Sequence, residues 1–128
     1  MKRALLAFVL FLAAASVPLT ANAMSVRKFQ ELDAAAAGKP EASGYDMYLR
    51  GLYEAITAFN ADAERRQGHA LYCMPRSVNV APVNLREMIR TRSARLKRSL
   101  SSGEFEALLD SDLALFLLDG FREGFPCG

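Results

Sequence analysis

Tyr45, Tyr48, Leu49, Leu52, Ile56 and Phe59 recur at i, i+3, i+4, i+7 spacing within one stretch of the chain. Only a helix gathers residues of that period onto one face, so the stretch is committed to an amphipathic helix with a stripe to bury. Ser43 stands at an N-cap position, and Gly68 follows the polar end Glu64-Arg65-Arg66, which bounds the helix at about 43–67. Gly51 lies inside it, where glycine costs about 1 kcal/mol relative to alanine. It marks either a close helix crossing or simple tolerance.

Three further helices follow from the same period, and no convincing strand pattern is present. Ser25 caps a first helix running to about Ala37, with Gly38-Lys39-Pro40 as its stop. Asn79 is the expected cap of a third, running to about Lys97 with Pro82 tolerated in its first turn. Leu85, Met88, Ile89 and Leu96 share one arc of that helix, and Arg92 falls in its centre. A charge there must be paired, snorkel outward or lie in an interface. Asp112 or Asp119 is its expected partner. Ser101-Ser102-Gly103-Glu104 is a capping box that opens a fourth helix, ended by Gly120. From Leu113 to Leu118 that helix is apolar almost all round, which suits either the centre of a core or a subunit interface. The expected fold is an all-α, four-helix orthogonal bundle, with room for one extra short helix.

The first 23 residues read as a cleaved secretory signal peptide. Lys2 and Arg3 precede an apolar run from Ala4 to Val17, and Ala21-Asn22-Ala23 supplies the small residues of a cleavage site. The run is short for a membrane span, which disfavours a retained anchor. A cut between Ala23 and Met24 leaves 105 of the 128 residues, one domain from 24 to 128, expected in a bacterial periplasm. Both cysteines survive it. An even count in an exported chain predicts a Cys73–Cys127 disulfide, worth about 4 kcal/mol by loop-closure entropy.

The formal net charge of +2 belongs to the signal: without Lys2 and Arg3, 14 basic residues face 14 acidic ones. That balance argues against a nucleic-acid partner. No membrane partner is expected once the signal is removed. Charge is nonetheless segregated. Arg86–Arg98 holds six basic residues and one acidic; Glu104–Glu123 holds six acidic and one basic. Two helix faces that attract each other would explain this, as would a basic patch for an acidic protein partner. Catalytic spacing is hard to find. His69 precedes Cys73 by four residues, but a bridged cysteine is no nucleophile, so a surface histidine is the simpler reading. One histidine and two bridged cysteines do not make a metal site, and no phosphate-cradling glycine loop occurs. Tyr45, Tyr48 and Tyr53 suit packing better than a ligand groove. No cofactor, metal or catalytic residue is expected; the profile is that of a binding protein.

Several local elements occur in a particular order. Tyr48-x-x-Gly51-x-x-x-Ala55 is followed by Tyr72-Cys73-Met74-Pro75, then Ser77-Val78, a helix opening near Val80, and Phe125-Pro126-Cys127. In this order the chain resembles the Rap/Tai family of immunity proteins, over roughly Met24 to Cys127. The resemblance implies a small exported helical homodimer. It also implies a function: to bind and block a peptidoglycan amidase injected by a type VI secretion system, with a loop laid over the amidase active site. Family members often carry a cysteine ahead of the Tyr-x-x-Gly helix; none precedes Cys73 here, so one bridge is expected. Two loops could reach a partner, Pro75 to Pro82 and Lys97 to Gly103. The second is polar and flexible by composition, which makes Lys97, Arg98, Ser99, Ser101 and Ser102 the candidate partner-binding residues. Two rivals stand beside this reading. One is a small periplasmic helical chaperone or acid-stress protein switched by Asp112 and Asp119. The other is an enzyme using Cys73 and His69.

Overall fold

The computed structural model describes residues 23–37 and 43–128. The expected signal segment up to Asn22 and the Gly38-Lys39-Pro40 stop lie outside the described residues. Among the described residues there are five helices: α1 (Val26–Ala36), α2 (Ser43–Gln67), α3 (Pro82–Ser99), α4 (Ser102–Leu109) and α5 (Leu113–Gly124). Among the described residues there is no strand, and no helix is long and apolar enough to cross a membrane.

The helix boundaries follow from local chemistry. Ser25 caps α1, its hydroxyl accepting from the Lys28 amide at 3.1 Å. Ser101 and Glu104 form the expected capping box at the head of α4. Ala81, not Asn79, is the N-cap of α3. The Asn79 side chain instead accepts from the Ala81 amide at 3.0 Å, a turn that delivers the chain to Pro82 at the first helical position.

The expected fourth helix is two helices. Ser111 closes α4 through its amide, which donates to the Leu108 carbonyl at 3.0 Å. Asp112 then caps α5, its carboxylate accepting from the Ala114 amide at 2.8 Å. The break is filled by the chain ahead of α1. Ser25 pairs antiparallel with Asp112. The Val26 amide donates to the Ser111 carbonyl at 3.1 Å, and the Leu113 amide donates to the Met24 carbonyl at 2.8 Å. Helix-end groups that would otherwise be orphaned are thereby satisfied. Past the break, α5 continues through Gly120 to Gly124, one turn longer than expected.

α5 is the centre of the bundle. Leu113, Phe116, Leu117 and Phe121 are all buried, and the helix touches α1, α2 and α3. Each such side chain contributes about 1.5–3 kcal/mol on burial. Phe121 is ringed by Tyr72, Tyr53 and Phe125, with centroids at 5.1, 6.1 and 6.5 Å. Leu115 projects outward, 62 % exposed. α2 buries Leu49, Ile56 and Ala63, each seven residues from the next. Phe59 lies about 80° round the axis from Leu49 and is exposed, so the buried line is narrower than the sequence stripe.

Candidate partner-binding surface

The Cys73–Cys127 bridge is present and fastens an irregular segment, residues 68–81, to the C-terminal end. Gly68 turns the chain out of α2 with φ at 78°, a left-handed conformation that glycine adopts without steric cost. Asn60 then holds the segment. Its carbonyl oxygen accepts from the Leu71 amide at 2.7 Å and the Tyr72 amide at 3.2 Å, and its amide donates to the Tyr72 carbonyl at 3.1 Å. The Cys73 amide donates to the Phe125 carbonyl at 2.8 Å, beside the bridge. Tyr72 is buried against Phe121. The loop tip, Pro75 to Ser77, stays exposed, and its Pro75 carbonyl accepts from the Val78 amide. A cleft of about 490 Å³ separates this segment from α2, with Tyr53, Thr57 and Tyr72 among its walls.

The expected contact loop from Lys97 to Gly103 is not a flexible loop. Lys97, Arg98 and Ser99 form the last turn of α3, and only Leu100 and Ser101 separate it from α4. The Ser101 hydroxyl donates to the Glu104 carboxylate at 2.6 Å and the Ser101 amide donates to it at 2.9 Å. These bonds, the hydroxyl first, hold the Glu104 carboxyl below the usual carboxylate range. Lys97, Arg98, Ser99, Ser101 and Ser102 nevertheless share one exposed corner. The corner is cationic for an identifiable reason. Within the basic block, Arg86 pairs with Asp46, Arg90 with Asp33, and Arg92 and Arg95 with Glu123. Lys97 and Arg98 have no ion pair among the described residues. Their charges sit at the C-terminal end of α3, where the helix dipole favours them.

Arg92 does not pair with Asp112 or Asp119. Asp112 is engaged in capping α5, and Asp119 pairs with Arg122 one turn along the surface. The partner is Glu123, whose carboxylate meets the Arg92 guanidinium at 2.6 Å and Arg95 at 2.6 Å. Glu123 lies beyond Gly120, the helix end expected from the sequence. In the longer α5 it stands seven residues from Phe116, on the same face. The Arg92 guanidinium lies over the Phe116 ring, 4.4 Å from its centroid. Gly120 makes room for the stem: a Cβ there would stand 3.1 Å from Arg92 Cδ. Arg92 first, and Arg95 after it, hold the Glu123 carboxyl below its ordinary range, against the opposing effect of burial. These residues line a cleft of about 430 Å³ between α3 and α5.

Two buried polar contacts had no legible signal. Asp33 is 8 % exposed and takes a two-pronged bond from Arg90, with one arm at 2.8 Å. Ser93 accepts from Gln30 at 2.8 Å. Both join α1 to α3. On the other side of α1, Arg27 pairs with Glu106 of α4 and with Asp110 at its C-terminal end. The acidic block therefore meets α1 as well as the basic block. His69 is exposed, and the sulfur of Cys73 is committed to the bridge. Among the described residues no three His, Cys, Asp or Glu side chains converge to hold a metal ion. Comparison of the chain with family models, with curated proteins and with solved structures gave no match.

Proposed function

We propose that the protein is an exported, periplasmic immunity-type binding protein that neutralises a type VI secretion peptidoglycan amidase by covering its active site. The observation that carries this reading is the joining of two segments far apart in sequence. Tyr72-Cys73-Met74-Pro75 and Phe125-Pro126-Cys127, the most specific parts of the Rap/Tai resemblance, are one unit. They are held by the disulfide, by the Cys73 amide on the Phe125 carbonyl, and by Tyr72 on Phe121. A rigid scaffold presenting fixed loops is what occlusion requires, because little ordering entropy is then lost on docking.

The contact surface in this reading is the corner from Lys97 to Ser102. Its unpaired cations would speed encounter with an acidic rim around an amidase cleft. The test is inhibition. The purified mature protein is titrated against a panel of type VI amidase effectors while release of cleaved peptidoglycan is followed. Stoichiometric inhibition of one member, weakened at least about tenfold in the Lys97→Glu, Arg98→Glu double variant, is the expected result. Absence of inhibition across the panel, together with suppression of client aggregation at low pH, would replace this reading with the chaperone one.

A further inference from the structure

The three residues that follow the expected cleavage point are built into the fold. Met24 gives its carbonyl to the Leu113 amide at 2.8 Å, Ser25 pairs antiparallel with Asp112, and the Val26 amide donates to the Ser111 carbonyl at 3.1 Å. Val26 is wholly buried and Met24 packs against the core cluster. Ser25 is also the N-cap of α1. A protease binds its substrate as an extended strand and needs the backbone groups on both sides of the scissile bond. On the downstream side those groups are already engaged with Ser111 and Leu113.

We infer that the bond between Ala23 and Met24 is a processing site that folding closes: cleavage must come before Met24–Val26 docks between α4 and α5. This rests on the export reading of the first 23 residues. The docked segment acts as a clasp. It supplies the donor and acceptor that satisfy the α4–α5 break, so the break and the site are closed by the same bonds. Cutting of the folded precursor then requires local opening, and its rate falls with the population of the opened form. The clasp also fixes the order of maturation, with removal of the signal ahead of native packing by α1 and α5.

The experiment uses the full 128-residue precursor and a bacterial signal peptidase in detergent micelles. One sample is folded with the Cys73–Cys127 bridge formed; the other is reduced and diluted from denaturant at the moment of mixing. Expected is cleavage after Ala23 at least about tenfold slower in the folded sample. The Val26→Pro variant removes the amide that bonds to Ser111 while keeping a residue tolerated at the first helical position. It should narrow that ratio, each variant being compared with its own unfolded sample. Equal rates for the two wild-type samples would overturn the clasp and leave the export reading standing. No cleavage in either sample, while a control preprotein is cut, would overturn the export reading and the clasp with it.

Discussion

Arg92 and Glu123 form an ion pair that ties α3 to α5, and the aromatic ring of Phe116 lies beneath it. The Arg92 side chain is 12 % exposed and that of Glu123 is 46 % exposed, so the pair sits half in and half out of solvent. Three contacts depend on Arg92: the carboxylate, the ring 4.4 Å below, and the packing of its stem on Gly120. Arg92→Ala should destabilise by about 1–2 kcal/mol, since it removes all three. Arg98→Ala, at an exposed helix end, should stay within about 0.5 kcal/mol of the parent. Thermal unfolding of the two variants checks this, and Arg92→Met separates stem packing from charge.

Acid should weaken the same joint. The Glu123 carboxyl is held below its ordinary range, chiefly by Arg92. A folded-state value below the unfolded one gives stability that is complete above about pH 4.3 and lost as pH falls through the folded value. Solvent screening keeps the contribution below about 1 kcal/mol. Glu123→Gln should therefore flatten the loss of stability below about pH 4 and leave its pH slope between pH 6 and 8 unchanged. Urea unfolding curves across that range provide the measurement.

Two glycines in helices should respond differently to alanine. A Cβ at Gly51 meets nothing within 4 Å, so this glycine marks no helix crossing. Gly51→Ala should stabilise by about 0.5–1 kcal/mol through helix propensity. At Gly120 the same gain is opposed by the 3.1 Å approach to Arg92, a side chain pinned by the Phe116 ring and by the Glu123 carboxylate. Gly120→Ala should gain less than Gly51→Ala or lose stability, and combining it with Arg92→Ala should restore the gain. A double-mutant cycle reads that coupling directly.

Asn60 should matter more than a polar residue in a helix usually does. It makes three hydrogen bonds to the backbone of Leu71 and Tyr72. Asn60→Ala leaves those groups without partners at the edge of the core, at a cost of about 1–3 kcal/mol. The loss should be local: hydrogen exchange at the Leu71 and Tyr72 amides should quicken well before that of the α5 amides.

Much of this fold was legible because helices write themselves into a sequence with a fixed period and with caps at fixed offsets. The spacing of Leu49 and Ile56, the Ser25 cap, the capping box at Ser101 and the even pair of cysteines each reduce to a local rule. What was not legible came from contacts made across the chain. The break at Ser111 has a local signal in Asp112, a residue type that caps helices, but nothing within residues 104–120 announces that Met24–Val26 fills it. Glu123 was out of view for the same reason: the extent of α5 depends on Phe121 reaching Tyr53, Tyr72 and Phe125. Asp33 and Arg90 lie on different helices, so no single window shows them as a pair. The corner at Lys97 and Arg98 is legible in composition alone. Its stiffness came from the side-chain bonds of Ser101, which its polar character had suggested were absent.

Joining residues 73 and 127 divides the molecule in a way that hydrogen bonds do not. Segments α3, α4 and α5 are enclosed in a closed covalent circuit, while α1 and α2 lie outside it and are held to it by packing and hydrogen bonds. A pull on the N-terminal end can therefore strip away α1 and then α2 by breaking non-covalent contacts alone. The enclosed part cannot be drawn out to its contour length under any tension that leaves the sulfurs bonded. Such a protein stretched from its two ends should yield first from the N-terminal side and then stop short, by the length of the looped 54-residue interval.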